Sequence, residues 1–145
     1  MQVVEKVYGY ITREHKGQKQ VLVFEPNTQE VGVGIQIPKG TIAEHESPLE
    51  AIARGMFEET GLTDLVVQDL IAMDYFDHYS GVLQKRYFYH LKTKELRDSW
   101  QHDPIRSNEN NVQISFSWIN DTQDVLLTKG HGDYLYRVIS KVKNS

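Results

Sequence analysis

A chain of 145 residues is long enough to bury a sizeable core, and the expected organisation is one domain spanning 1–145. Zero cysteines exclude a disulfide framework and thiolate metal ligands. A formal net charge of −4 argues against the basic field of a stable nucleic-acid binder. No stretch approaches the roughly 18 apolar residues of a membrane span. The N-terminal MQVVEKVYGY alternates apolar and polar residues, with no signal-peptide core. No membrane partner and a cytoplasmic location are therefore expected.

In chain order, Val3–Ile11 and Gln20–Phe24 read as strands separated by the polar turn REHKGQK. VGVGIQIPKG is a further extended run that Pro38 and Gly40 bring to an end. From Ser47 the period changes. Leu49, Ile52, Ala53 and Met56 fall at i, i+3, i+4 and i+7, which predicts the buried stripe of an amphipathic helix. Ser47 is its expected N-cap, Pro48 suits the first helical position, Glu50 completes a capping box, and Gly61 is a C-terminal stop. LVVQDLIAMDYF and LQKRYFYHLKT read as long strands joined by a hairpin around DHYSG. The polar segment RDSWQHDPIRSNENN is expected to be a loop, and VQISFSWI a further strand. Leu135, Val138, Ile139 and Val142 predict a last helix over Tyr134–Val142, with Asp133 as its cap. Strands that alternate with helices at two places imply a sheet with helices on its faces.

The chemistry concentrates on the middle helix, on the face opposite its expected apolar stripe. Arg54 and Glu58 are four apart, as are Gly55 and Glu59, so these positions share one surface. Adjacent carboxylates repel unless a cation lies beside them. Mg²⁺ takes carboxylate and carbonyl oxygens and bridges to substrate phosphates. Glu46, at the helix entrance, is placed to hold Arg54, and the backbone of the preceding IPKG can offer a carbonyl. Metal-assisted attack of water on a phosphoanhydride fits these groups.

The segment GTIAEHESPLEAIARGMFEETGL, Gly40 to Leu62, resembles the Nudix box. That pattern is glycine, five residues, glutamate, seven residues, then Arg-Glu-apolar-x-Glu-Glu-x-Gly-apolar. Gly40, Glu46, Arg54, Met56, Glu58, Glu59, Gly61 and Leu62 match in register, and Gly55 alone departs from it. The resemblance implies an α/β fold, the Nudix α/β/α sandwich on a mixed β-sheet with the box as loop–helix–loop. It implies Mg²⁺- or Mn²⁺-dependent hydrolysis of a nucleoside diphosphate linked to another moiety, dinucleoside polyphosphates among them. Glu58 and Glu59 would bind the metal with the backbone carbonyl of Gly40 or its neighbour, and Glu46 and Arg54 would support them. A small phosphorylated nucleotide is the implied partner, and a homodimer is compatible with the family.

Gly55 stands where the family places a glutamate that ligates metal or acts as the base. Three readings stay open: a slow hydrolase, one with a relocated base, or a nucleotide- or metabolite-binding protein that no longer cuts. Glu109 is the first choice for a relocated acid, ahead of Asp103 and His102. His78 is a candidate acid–base group or phosphate contact. The lysine of Pro38-Lys39-Gly40 resembles the form found in dinucleoside-polyphosphate and inositol-pyrophosphate hydrolases, so Lys39 is either a phosphate contact or a solvent-facing side chain. Tyr8 and Tyr10, on one face of the first strand, and Tyr75, Phe76 and Tyr79 are either base-stacking rings or cross-strand core pairs. His15, His45, His90 and His131 show no metal-ligand spacing with one another.

Overall fold

The computed structural model describes residues 2–26, 34–79, 81–103, 114–120 and 127–139, with the side chains of 26, 78 and 79 outside that description. Its strands are β1 (Gln2–His15), β2 (Gln18–Pro26), β3 (Lys39–Thr41), β4 (Val66–Tyr79), β5 (Val82–Lys92), β6 (Trp100–His102) and β7 (Ile114–Asn120). Helix α1 covers Pro48–Thr60, and a 3₁₀ turn covers Leu135–Arg137. The sheet order is β4-β5-β1-β2-β7-β6, with β3 also paired to β1. β1 and β5 run parallel over Gln2–Thr12, and the other pairings are antiparallel.

Side chains alternate across a strand, and here both faces are used. Val7 and Ile11 of β1, Leu22 and Phe24 of β2, Tyr89 and Leu91 of β5 and Phe116 of β7 pack with Ala51, Ile52 and Met56 of α1. Tyr8 and Tyr10, Val21 and Val23, Phe88 and Ile119 point the other way and pack with Ile37, Val138 and Ile139. The Tyr10 hydroxyl donates to the His131 carbonyl (2.5 Å) and accepts from the Tyr134 N–H (3.2 Å), which ties the C-terminal turn to β1. The layered plan expected from the sequence is the architecture observed. Among the described residues its second layer is thin, a 3₁₀ turn rather than a helix over Tyr134–Val142, and residues 140–142 lie outside the description. Asp133 does not cap that turn; it pairs with the buried Arg86 (3.0 Å), which also holds Asp74 through two bonds.

The strands outrun their sequence signals. β1 continues to His15 and β2 begins at Gln18, so the expected seven-residue turn shrinks to Lys16–Gly17. β3 occupies Lys39–Thr41, where the extended run was expected to stop. The segment expected to be a loop contains β6, which pairs with β7 through Trp100↔Phe116 and His102↔Ile114.

The largest correction concerns the roll of α1. Its buried residues are Ala51, Ile52, Gly55, Met56, Glu59 and Thr60, whereas Leu49 is 56% exposed and Ala53 is also exposed. The helix therefore lies on the sheet with its glycine side inward. Gly9 of β1 permits this contact. A Cβ there would fall 2.5 Å from Met56 Sδ and 3.3 Å from Leu91 Cδ1, so Met56 occupies the space a side chain would take. No helix among the described residues is long and apolar enough to cross a membrane.

Overpacking a tight contact costs about 1–3 kcal/mol. Gly9→Ala is expected to destabilise the protein by that amount in urea unfolding. In a Met56→Ala background the same substitution should cost clearly less, because the colliding thioether is gone. Equal costs in both backgrounds would show that Met56 does not set the constraint.

Candidate active site

The loop into α1 is anchored on β1. Gly9 N–H donates to the Pro38 carbonyl (3.0 Å), Gly40 pairs with Val7, and Ile42 N–H donates to the Glu5 carbonyl (3.0 Å). The helix then starts as its sequence predicts. Glu50 N–H donates to Ser47 Oγ (3.1 Å) and Ser47 N–H to Glu50 Oε1 (2.9 Å), a reciprocal capping box that satisfies two orphan donors. At the far end Gly61 adopts φ +78° and its N–H closes on the Phe57 carbonyl (2.8 Å). That left-handed conformation is open to glycine at little cost.

Arg54 joins loop to helix. Its Nε and Nη2 donate to the two oxygens of Glu46 (2.6 and 2.9 Å), its Nη1 to Glu58 Oε1 (2.9 Å), and Nη2 also to the Thr41 carbonyl (2.9 Å). A planar guanidinium matches a carboxylate through two parallel bonds, which fixes orientation as well as charge. Glu46 accepts a further bond from Ala43 N–H (2.8 Å). The Arg54 bonds first, and the Ala43 N–H second, hold the Glu46 carboxyl at about 2, well below the usual carboxylate value. Glu46 in turn keeps Arg54 firmly charged.

The second group lies on the sheet-facing side of the helix. A Cβ on Gly55 would sit 3.8 Å from the Gly40 Cα and 3.9 Å from Val7 Cγ2, both ordinary contact distances. Gly40 and Gly55 thus meet backbone to backbone. Glu59, one turn further along the same side, is only 6% exposed. Glu59 was expected on the face opposite the apolar stripe and instead belongs to the buried one, while Glu58 stays half-buried beside Arg54. The two adjacent acids therefore differ in setting. One is held by a guanidinium, and the other is desolvated against the sheet, where a carboxylate needs compensating partners.

The structure brings Gly40, Glu46, Arg54, Glu58 and Glu59 into one loop–helix assembly. Lys39 lies beside it on β3, half-buried, with Nζ 3.3 Å from Gln36 Oε1. Tyr8 is its Cα partner on β1, and directly paired residues share a face, so both lie on the face of the sheet opposite α1. There Tyr8 is 4% exposed, stacks on Phe88 (4.8 Å) and donates to Gln84 Oε1 (2.9 Å). Tyr10 is likewise core, Tyr75 is 56% exposed, and Phe76 lies against the Arg86 guanidinium (4.3 Å). The side chains of His78 and Tyr79 lie outside the described residues, as does the whole of Glu109. Asp103 is exposed. His102 directs Nε2 at the Glu58 carbonyl (3.1 Å). Sequence reasoning missed the Thr41 carbonyl on Arg54 and the closeness of β6 to the end of α1. Neither leaves a local signal.

The donors fit a hard cation in kind, since Glu58, Glu59 and the Gly40 carbonyl supply only oxygen. Among the described residues no group of three or more His, Cys, Asp or Glu side chains could hold a metal ion. Gly55, in the turn before Glu59, adds no donor to this set.

No curated protein matches the chain. Solved structures do share its fold. The MutT protein from Methanosarcina mazei Go1 has 21% identity and a TM-score of 0.61, covering 94% of this chain and 92% of that one. The Ap4A hydrolase of C. elegans has 18% identity and a TM-score of 0.59, covering 83% and 82%. The NUDIX domain of Shewanella oneidensis NrtR, in complex with ADP ribose, has 15% identity and a TM-score of 0.67, covering 95% and 86%. At these identities the likeness concerns the fold alone. The NUDIX domain family model, by contrast, matches residues 5–135, across the anchored loop, the Arg54-centred helix and the mixed sheet. The chain belongs to the NUDIX domain family.

Proposed function

We propose that this protein is a pyrophosphohydrolase of its family, a single cytoplasmic domain acting on a nucleoside diphosphate linked to another moiety with the help of Mg²⁺ or Mn²⁺. The observation that carries the reading is the Arg54 assembly. Glu46 and Glu58 are held by one guanidinium, and Glu59 is buried one turn from the Gly40–Gly55 contact. Glu58, Glu59 and the Gly40 carbonyl would hold the ion. When bound, it would polarise a phosphoanhydride and make water a better nucleophile. Arg54 orients Glu58 and neutralises its charge in part. Lys39 is the cation nearest in sequence to Gly40 and is assigned to a substrate phosphate. Ap4A in the C. elegans relative and ADP ribose in the Shewanella one are the ligand types to try first.

Gly55 favours a second reading, a nucleotide-binding domain with little turnover. A glycine there removes a ligand, and no three-ligand group exists among the described residues. Its packing does not demand glycine, because a Cβ would meet its neighbours at ordinary distances.

A screen of dinucleoside polyphosphates, ADP ribose and nucleoside triphosphates with Mg²⁺ or Mn²⁺ separates the two. Hydrolysis of any of them supports the enzyme, and Glu58→Gln and Glu59→Gln should then abolish metal-dependent turnover. Binding of a nucleotide with no turnover leaves the second reading.

The location of the base is tested by two substitutions. If the gap at Gly55 merely weakens the usual mechanism, Gly55→Glu should raise metal affinity and rate. If Glu109 serves as the base, Gly55→Glu should help little and Glu109→Gln should cost at least about 10²-fold in kcat. An unchanged rate in Glu109→Gln removes that residue from the mechanism.

The Glu46–Arg54 pair also makes a pH prediction. A carboxyl depressed from 4.5 to about 2 contributes stability that is fully present above its unfolded value and is lost as pH falls through its folded one. The stability gap between wild type and Glu46→Gln, read from thermal melts, should be constant above pH ~5 and close as pH falls from about 4.5 toward 2. A gap independent of pH over that window would show that charge is not what Glu46 contributes.

A further inference from the structure

The carbonyls of a helix's last turn have no partner inside the helix. In α1 the end of the helix is closed by side chains from β6, an edge strand distant in sequence. Trp100 Nε1–H donates to the Thr60 carbonyl (3.1 Å), and His102 lies 3.1 Å from the Glu58 carbonyl through Nε2. A carbonyl only accepts, so Nε2 carries the proton. Residues 100 and 102 share one face of β6 by strand alternation. β6 is fixed in turn by its pairing with β7 and by the Trp100 ring stacked on Phe116 (5.4 Å, 19°). The His102 ring also sits close against the helix stop, since a Cβ at Gly61 would lie 3.0 Å from its Cε1 and Nδ1.

The Glu58 carbonyl belongs to the peptide that links Glu58 to Glu59. Turning that peptide plane re-aims both carboxylates at once. Arg54 steadies only the Glu58 side chain, and nothing in the Arg54 cluster acts on the peptide itself. We infer that His102 is a positioning residue for the acidic pair: its Nε2–H···O=C bond to Glu58 sets the register in which Glu58 and Glu59 are presented together. The inference rests on the assignment of these carboxylates as metal donors. Groups that orient metal ligands typically matter by about 10–100-fold in metal affinity.

The test is Mn²⁺ titration of the intact protein, followed by loss of the free Mn²⁺ signal in electron paramagnetic resonance, with melting temperature measured on each variant. His102→Phe keeps a ring beside Gly61 but loses the donor; His102→Gln keeps an N–H donor. Expected is about tenfold weaker Mn²⁺ binding in His102→Phe at near-native melting temperature, with most of the affinity regained in His102→Gln. Affinity within twofold of wild type in His102→Phe overturns the inference, as does a Gln variant no better than the Phe one. If the Phe variant does not fold, His102→Met replaces it in the same comparison with Gln. Wild-type protein that binds no Mn²⁺, or binds it equally well as Glu59→Gln, sinks the metal-donor assignment itself and the inference with it. That failure is recognisable because it precedes any change at His102.

Discussion

The guanidinium of Arg54 is where a loop and a helix become one rigid object. Four of its hydrogen bonds reach three elements: the Thr41 carbonyl at the end of β3, Glu46 in the connecting loop, and Glu58 in the next turn of α1. Each bond in the fork is charge-assisted or ends on a backbone carbonyl, and the planar group admits little rotation once two are made. The loop cannot drift from the helix without breaking several of them together. An acid such as Glu46 is kept ionised well below ordinary pH by the same contacts. The geometry of the site follows from this junction more than from any single carboxylate.

One glycine decides how close the helix comes to the sheet. Gly9 admits Met56 against β1, whereas Gly40 and Gly55 face each other backbone to backbone with room for a Cβ on either. The helix settles with Gly55 and Glu59 inward and with Leu49 and Ala53 left in solvent. Burying a carboxylate is unfavourable unless it is compensated. Here the roll of α1 that buries the apolar Ile52 and Met56 also carries Glu59 beneath it. The packing of the helix and the burial of Glu59 are thus set by one rotation of one helix.

Much of the site was readable because it is contiguous. Spacing within a single loop and helix fixes relative positions at a few ångströms, so Glu46 with Arg54 and Arg54 with Glu58 could be paired from their separations alone. The capping box and the Gly61 stop were legible for the same reason: each depends on residues a few positions apart. The roll of α1 was not. Its apolar residues offer two stripes, and a periodicity count cannot tell which one a sheet will cover when glycines lower the barrier to close approach. β6 was hidden as well. Three residues, Trp100–His102, carry no alternation long enough to be recognised, and they become a strand only because β7 offers an edge.

The amino-acid sequence by itself determined the family, the acidic residues of the candidate site and the departure at Gly55, because each is a matter of residue type at short, fixed separations. Tertiary structure alone decided that Glu59 is buried while Glu58 is held by Arg54. It decided that Tyr8 belongs to the opposite face, and that the end of α1 is closed by Trp100 and His102. Those outcomes depend on how a helix rolls on a sheet and which strand reaches its end, and both are set by packing between segments some forty residues apart.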